Sequence, residues 1–221
     1  IYNPRRTRLL MDAEELGLRT VSGLRMLIAQ AVAAHELFFD KKAPEGVTEE
    51  IYRRLKNRLM NICLIGMPGC GKTTVARELS RLCKKEFFDS DACIEKEADM
   101  SIPDIFATYG ETYFRELETE ACNKLGVHTG TVIATGGGVV LKEENMRSLR
   151  QNGLIVFLER DLAELSMEGR PLSKSMDDLK RIYEDRIELY RGYADMSFLN
   201  EEPPARVAER IREMAYEAAD Y

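Results

Sequence analysis

The sequence predicts an α/β fold in which helices cover a five-stranded parallel sheet. From residue 60 onward, short apolar segments of strand length alternate with longer segments whose apolar residues recur at helical spacing, and this alternation is typical of a parallel sheet. A glycine-rich stretch also stands between the first strand-like segment and the helical pattern that follows it. The composition, with 44% apolar and 32% charged residues, is that of an ordinary globular protein.

The individual elements are predicted from the same patterns, taken in chain order. Strands are expected at residues 61–65, 86–88, 131–135, 154–158 and 196–199. Helices are expected at residues 73–83, 92–98, 102–109, 111–125, 143–151, 177–194 and 204–219.

The chain divides into three regions. Residues 1–40 carry two helical patterns, which predict a helical hairpin too apolar to bury itself without a partner surface. Residues 41–59 contain a linker with Lys, Pro and Gly, followed by a helix that leads into the first strand. Residues 60–221 hold the predicted α/β domain.

The glycine-rich stretch is the most specific motif. Residues 66–73 read GMPGCGKT, fit the pattern G-x-x-x-x-G-K-[ST] and lie between a strand and a helix, as a P-loop requires. In such a loop backbone N–H groups and the helix N-terminus face a phosphate. Lys72 can reach the β- and γ-phosphates, and the Thr73 hydroxyl is a natural magnesium ligand. The predicted nucleotide-binding residues are Gly66, Met67, Pro68, Gly69, Cys70, Gly71, Lys72, Thr73 and Thr74.

Two acidic residues, Asp89 and Asp91, come directly after the second predicted strand. Ligands of parallel α/β sheets gather at the carboxyl ends of the strands, so this pair is expected at the same edge as the P-loop. One carboxylate could support a magnesium ion and the other could meet the hydroxyl group that accepts a phosphoryl group. The simpler alternative is an aspartate that caps the following helix.

Other candidate residues are ambiguous when each is taken alone. Gly136, Gly137 and Gly138 follow the third predicted strand and would let a ligand approach the backbone closely, or would simply form a turn. The arginines Arg115, Arg170 and Arg186 lie among acidic residues, where an arginine is usually part of a solvated surface.

Composition argues against several classes of function. The net charge of −6 disfavours a nucleic-acid-binding protein, which usually shows a basic face. No apolar stretch is long enough to cross a membrane, and no signal peptide is visible, so a cytoplasmic protein is expected. The five cysteines lack metal-type spacing and are expected to be reduced thiols, while the two histidines lie far apart.

Taken together, residues 60–217 resemble the shikimate kinases. The resemblance lies in the P-loop, the Asp-x-Asp at residues 89–91, the Gly-Glu-x-x-Phe-Arg at 110–115 and the triple glycine at 136–138. The Gly-Arg-Pro-Leu at residues 169–172 and the stretch at 186–190 follow in the order of that family. The resemblance implies a fold of the nucleoside-monophosphate-kinase type and transfer of phosphate from ATP, with Mg²⁺, to the 3-hydroxyl of shikimate in aromatic amino-acid biosynthesis.

The resemblance also implies individual roles. Lys72 and Thr73 hold phosphate and magnesium, with Asp89 supporting the metal. Asp91 binds the ring hydroxyls of shikimate and takes the proton of the attacking 3-hydroxyl. The remaining implied site residues bind or support the substrate, or stabilise the moving phosphoryl group: Arg115 and Arg186 as carboxylate clamp, Glu118 behind them, Gly136, Gly137 and Gly138 along the substrate, and Arg170 on a lid.

One segment departs from the family pattern. Residues 159–169 are short and acidic, with no basic residue between Arg160 and Arg170. Two alternatives therefore stay open beside the shikimate kinase: a related carboxylate or polyol kinase resembling a gluconate kinase, and a nucleotide-binding module that has lost its activity and serves as a scaffold.

Residues 1–40 resemble the C-terminal end of shikimate dehydrogenase. The resemblance lies in the stretches at 2–10, 22–31 and 36–38, and it implies a bifunctional dehydrogenase–kinase fusion whose dehydrogenase domain is missing here. Gln30 takes the place of a glutamine that meets shikimate in that family. No NADP-binding fold and no catalytic Lys/Asp pair accompany this segment in the sequence, so it is expected to act here only as a packing element.

Overall fold

The computed structural model describes residues 3–165 and 176–217. Within these ranges a five-stranded parallel sheet has the strand order β2-β3-β1-β4-β5. Its strands are β1 (Asn61–Ile65), β2 (Glu86–Asp89), β3 (Thr131–Ala134), β4 (Gly153–Glu159) and β5 (Met196–Leu199). The predicted fold class is confirmed.

Helices precede, connect and follow the strands. They are α1 (Arg8–Glu15), α2 (Leu24–Phe39), α3 (Val47–Leu59), α4 (Lys72–Cys83), α5 (Ser90–Ala98), α6 (Ile102–Gly126), α7 (Glu143–Arg150), α8 (Met176–Tyr193) and α9 (Pro204–Glu217), with 3₁₀ turns at Val139–Leu141 and Leu162–Glu164. The predicted helices at 102–109 and 111–125 are the two halves of α6, because Gly110 interrupts the helix with φ 81° and ψ 177°.

The centre of the sheet forms the main core. All five residues of β1 are buried, as expected for a parallel strand covered on both faces. A smaller apolar cluster of Ile94, Ile105, Phe114 and Ala121 joins α5 to α6. The sheet and these two helices thus present one continuous edge at the carboxyl ends of β1, β2 and β3.

The N-terminal helices pack against different parts of the molecule. Helix α2 lies along α3, and α1 docks on α7, where Arg147 pairs with Asp12 at 2.8 Å and with Glu15 at 3.1 Å. The backbone N–H of Arg6 also donates to the carbonyl of Gln151 at 2.8 Å. The two predicted N-terminal helices are therefore present, but each has its own docking surface.

The side chain of Lys85 ties α3 to the sheet. Its ammonium donates to the carbonyls of Asn57, Arg58 and Met60 at 2.8, 3.1 and 2.7 Å. These carbonyls lie at the end of α3, where helical hydrogen bonding runs out. Across residues 3–165 and 176–217, no helix has both the length and the apolar character needed to span a membrane.

Candidate active site

The P-loop connects β1 to α4 at the carboxyl edge of the sheet. Gly71, the last residue before α4, has φ +95°. A Cβ at this position would stand 2.5 Å from the amide nitrogen of Asn200. The positive φ therefore favours glycine here, and any side chain would also displace the amide of Asn200. The predicted nucleotide-binding residues are thus gathered in one loop at the start of a helix.

The side chain of Lys72 is held inside the loop. It is 7% exposed, and its ammonium donates to the carbonyls of Gly66 and Met67, each at 2.9 Å. The Cys70 sulfur lies 3.9 Å from the same ammonium. The positive charge therefore lies within the loop, on two carbonyls that phosphate oxygens could replace.

Thr73, at the start of α4, contacts Asp89, at the end of β2. The Thr73 hydroxyl donates to one carboxylate oxygen of Asp89 at 2.8 Å. The other oxygen accepts from the backbone N–H groups of Asp91 and Ala92 at 3.1 and 3.4 Å. Asp89 therefore caps α5 and contacts the P-loop at once, so its capping role does not exclude the predicted role beside a magnesium ion.

These oxygens fit a magnesium ion. Mg²⁺ prefers hard oxygen ligands and is usually bound by one or two protein groups together with substrate phosphates. Among the described residues, no cluster of three or more His, Cys, Asp or Glu could hold a metal by itself. The pair of Thr73 and Asp89 is the kind of partial ligand set that a nucleotide-bound magnesium uses.

Asp91 lies two residues after Asp89, in the first turn of α5. Burial, followed by the nearby charge of Asp89, raises the pKa of its carboxyl to about 6. Its Oδ1 lies 2.6 Å from the place that a Cβ on Gly136 would take, and Oε1 of Glu118 lies 3.1 Å from the same place. The two carboxylates therefore converge on the first glycine of the triple-glycine loop.

Arg115 and Glu118 form a buried ion pair on α6. The guanidinium donates to Glu118 at 2.9 Å and to Glu111 at 2.9 and 3.2 Å. Arg115 is 9% exposed and Glu118 is 1% exposed. Burial raises the pKa of the Glu118 carboxyl, although the charge of Arg115 acts in the opposite direction. One oxygen of Glu118, Oε1, has no hydrogen-bond partner.

The guanidinium of Arg115 rests directly on the glycine loop. Its Nη1 stands 2.0 Å from where a Cβ on Gly138 would be. Any side chain at this position would displace the arginine, so the third glycine is required by this close approach. A second guanidinium reaches the same loop, since Arg186 from α8 donates to the carbonyl of Gly137 at 3.1 Å.

The structure thus brings most of the predicted site residues to one edge of the sheet. The P-loop, Asp89 and Asp91, the pair of Arg115 and Glu118, the triple glycine and Arg186 surround the same space. Arg170 lies outside the described residues, so its predicted place on a lid stays a prediction.

Several residues at this edge were not predicted from the sequence. Asn200, at the end of β5, donates its amide to the carbonyl of Cys70 at 2.7 Å. The Tyr190 hydroxyl donates to the carbonyl of Gly137, and the Ser90 hydroxyl accepts from the N–H of Gly136 at 2.9 Å. Tyr190 and Ser90 both lie in segments that the family pattern marks, at 186–190 and 89–91, but neither segment indicates that its hydroxyl binds the glycine loop, and Asn200 lies outside those segments.

Comparison with known proteins supports the same assignment. Residues 68–216 match the family model described as shikimate kinase. The chain belongs to the shikimate kinase family. The shikimate kinase of Clostridium beijerinckii is 38% identical over 165 residues, covering 72% of this chain and 95% of the relative. That of Clostridium botulinum strain Okra is 44% identical over 139 residues, covering 59% of this chain and 82% of the relative.

Solved shikimate kinases have the same fold. The enzyme of Acinetobacter baumannii in complex with shikimate superposes with a TM-score of 0.71 at 32% identity, covering 75% of this chain and 98% of that one. The enzyme of Aquifex aeolicus gives a TM-score of 0.63 at 33% identity, covering 73% and 98%. The predicted family of kinases is confirmed, while residues 1–67 lie outside the family match.

Proposed function

We propose that this chain transfers the γ-phosphoryl group of ATP to the 3-hydroxyl of shikimate and releases ADP and shikimate 3-phosphate. The observation that carries the proposal is the placement of two buried guanidinium groups on one glycine loop, Arg115 against Gly138 and Arg186 on the carbonyl of Gly137, where that loop also packs against Pro68 of the P-loop. Arginine forks of this kind suit a carboxylate ligand, because they can donate to both oxygens. A small molecule with a carboxylate and ring hydroxyls fits such a site.

The nucleotide half of the reaction is assigned to residues 66–74. Backbone N–H groups of the loop and the N-terminus of α4 bind the β- and γ-phosphates. Lys72 exchanges the carbonyls of Gly66 and Met67 for phosphate oxygens, which an ammonium on a flexible stem can do without moving the backbone. Thr73 would hold Mg²⁺, with Asp89 behind it, and the ion would neutralise negative charge on the phosphates.

On the acceptor side of the reaction, Asp91 is assigned as the base. A carboxyl whose pKa is raised to about 6 is ionised at neutral pH and is still a better proton acceptor than an ordinary aspartate. Asp91 orients the 3-hydroxyl and takes its proton as the bond from oxygen to the γ-phosphorus forms. The bond from that phosphorus to the bridging oxygen breaks, and its electron pair leaves with ADP. Most of the rate then comes from position and charge.

The carboxylate of shikimate is assigned to Arg115 and Arg186. Glu118 holds Arg115 against Gly138, and its buried carboxylate keeps that guanidinium in place. Gly136, Gly137 and Gly138 let Asp91, Pro68 and Arg115 pack closely against the loop. The backbone N–H groups of Gly137 and Gly138 are assigned to the substrate, since that of Gly136 already donates to Ser90. Arg170 is proposed, on the family pattern alone, to stabilise charge on the transferring phosphoryl group.

The experiment is an ADP-release assay with MgATP and a panel of acceptors: shikimate, quinate, gluconate, AMP and none. The proposal expects strong stimulation by shikimate and little by the others. Stimulation by gluconate instead would favour the related carboxylate kinase. A folded protein that binds ATP but responds to no acceptor would favour the inactive scaffold module.

We also propose that residues 1–40 are the end of a shikimate dehydrogenase domain in a longer bifunctional chain. Support comes from the sequence resemblance and from the apolar side chains that this region exposes, since so many in one region usually mark a contact surface. The exposed residues are Leu9, Leu16, Leu18, Val21, Met26, Leu37, Phe38 and Phe39.

A complementation assay tests this second proposal. The chain is mixed with a shikimate dehydrogenase truncated before its last helices, and NADP-dependent oxidation of shikimate is measured. Recovery of oxidation by the wild-type chain, but not by Phe38→Asp, supports the proposal. No recovery, with a truncated dehydrogenase shown to be folded, contradicts it.

A further inference from the structure

Lys142 makes a contact that its position in the sequence does not explain. It stands four residues after Gly138, between the 3₁₀ turn Val139–Leu141 and α7. Its ammonium donates to the backbone carbonyl of Arg115 at 3.1 Å and to the Thr119 hydroxyl at 3.3 Å. The Thr119 hydroxyl in turn donates to the same carbonyl of Arg115 at 2.9 Å. A lysine that would ordinarily face solvent thus points at one turn of α6.

That turn carries the carboxylate clamp. Arg115 and Glu118 project from it toward the glycine loop, and Nη1 of Arg115 already fills the space beside Gly138. The guanidinium of Arg115 packs directly against the loop at Gly138. The separation between α6 and the loop therefore determines where the guanidinium lies. Lys142 is the charged link that crosses this separation close to the clamp.

The backbone at Lys142 is also held in place by hydrogen bonds. Asn145, which is fully buried on α7, donates its amide to the carbonyl of Val139 at 3.2 Å, and its backbone N–H donates to the carbonyl of Lys142 at 3.1 Å. The backbone that carries Lys142 is therefore held to the 3₁₀ turn after the glycine loop. Movement of Lys142 away from α6 would have to move that turn as well.

The charge of Lys142 acts in the same direction. It is one of the positive groups that favour the ionised form of Glu118, together with Arg115 and Arg186. An ionised Glu118 is the form that binds the guanidinium of Arg115 most strongly. Neither the hydrogen bonds nor the charge place Lys142 on the substrate itself.

We propose that Lys142 is a positioning residue that sets the distance between Arg115 and the glycine loop, and so the affinity of the site for the carboxylate of its acceptor. This inference rests on the proposed function, in which Arg115 binds that carboxylate. Its signature is selective: the apparent KM for shikimate depends on Lys142, whereas the apparent KM for ATP does not.

The test compares Lys142→Met, Lys142→Arg and the control Lys124→Met in the ADP-release assay. Lys124 lies on α6, the helix that carries Arg115, and pairs with Glu97 on α5, and both side chains are about half exposed. Its substitution removes the same charge without touching the clamp. For Lys142→Met we expect the KM for shikimate to rise roughly tenfold, the size of a lost hydrogen bond to a charged donor. The KM for ATP should stay within about twofold, as expected for a site that keeps its contacts.

Lys142→Arg should recover most of the affinity, because a guanidinium can still donate to the carbonyl and the hydroxyl. Lys124→Met should behave as the wild type. If Lys142→Met does not fold, Thr119→Val removes one arm of the link and should raise the KM for shikimate about threefold, as for one neutral hydrogen bond.

Equal rises of both KM values in Lys142→Met, or equal behaviour of Lys142→Met and Lys124→Met, would overturn the inference while leaving the proposed function intact. A wild-type chain that consumes no ATP in response to shikimate would overturn the proposed function, and the inference with it.

Discussion

The P-loop and the facing glycine loop differ in how they present the groups that we propose to bind ligands. At the P-loop, the groups are mainly backbone N–H groups and one lysine, whose ammonium rests on carbonyls of its own loop. At the glycine loop they are charged side chains from three helices: the half-buried Asp91 on α5, the buried pair of Arg115 and Glu118 on α6, and the buried Arg186 on α8.

This contrast has a consequence for function. The proposed phosphate-binding groups of the P-loop lie in one segment, residues 66–74, which Asn200 supports from outside. The substrate half is assembled from segments that lie up to about a hundred residues apart, and its charges must be positioned by packing. We therefore expect substitutions in the two halves to affect different kinetic constants, and the predictions below run from the largest effect to the smallest.

Lys72→Met should have the largest effect. The methionine keeps most of the volume of the side chain but removes the charge that is assigned to the transferring phosphoryl group. We expect kcat to fall by about a thousandfold or more, as for other electrostatic groups at a reacting centre. ADP release at saturating shikimate and ATP measures it. A fall of less than tenfold would contradict the role assigned to Lys72.

Asp91→Asn should lower kcat by roughly a hundredfold to a thousandfold, because the amide cannot accept the proton of the acceptor hydroxyl. In the wild type, kcat/KM for shikimate should fall as the pH drops below about 6, since protonation of Asp91 in the free enzyme removes the base. The pH profile of kcat/KM in the wild type and in Asp91→Asn checks this. Persistence of the same acidic limb in the variant would assign it to another group.

The same substitution should stabilise the fold at neutral pH. The folded pKa of Asp91, about 6, lies above the ordinary value of 3.8, so the native state binds more protons in that window and its stability falls as the pH rises through it. Above pH 7 the buried charge is present in full. Asp91→Asn should therefore raise the free energy of unfolding by roughly 1 to 3 kcal/mol, measured by urea denaturation at pH 8, with little gain at pH 4.

Arg115→Lys should act on the acceptor alone. A lysine keeps the charge but cannot make a fork with two parallel N–H bonds. We expect the KM for shikimate to rise by about thirtyfold, with the KM for ATP nearly unchanged, as for a lost charge-assisted bond. Arg147→Lys, in the ion pairs between α7 and α1, is the control and should change neither value.

Asn200→Ala should give the smallest effect, and this effect should fall on ATP rather than on shikimate. Its amide supports the carbonyl of Cys70 inside the P-loop. Loss of this bond should raise the KM for ATP by roughly fivefold, in line with one hydrogen bond, and leave the KM for shikimate alone. Titration of both substrates checks this. An unchanged KM for ATP would show that the loop keeps its shape without Asn200.

The sequence predicts most of the fold because the relevant signals are local. The five strands are short apolar runs, and the P-loop lies within eight consecutive residues. The break at Gly110 was also predictable, since two helical patterns meet there. In contrast, the docking of α1 on α7 depends on Arg147, more than a hundred residues away from Asp12, and no local pattern encodes it.

The same reasoning separates the parts of the site. The carboxylates after β2 were expected at the sheet edge, because their position follows from the topology of parallel strands. Asn200 and Lys142 were not expected, because each acts on a carbonyl of a distant segment. A side chain that binds a backbone atom leaves no residue pattern at the other end of the contact.

The central claim is that one edge of the sheet carries two separable halves, a backbone-built site for ATP and a side-chain-built site for shikimate. The most direct test is to measure both KM values for the pair Arg115→Lys and Asn200→Ala in the same assay. The account predicts that Arg115→Lys raises only the value for shikimate and that Asn200→Ala raises only the value for ATP. Equal changes of both constants in both variants would contradict it.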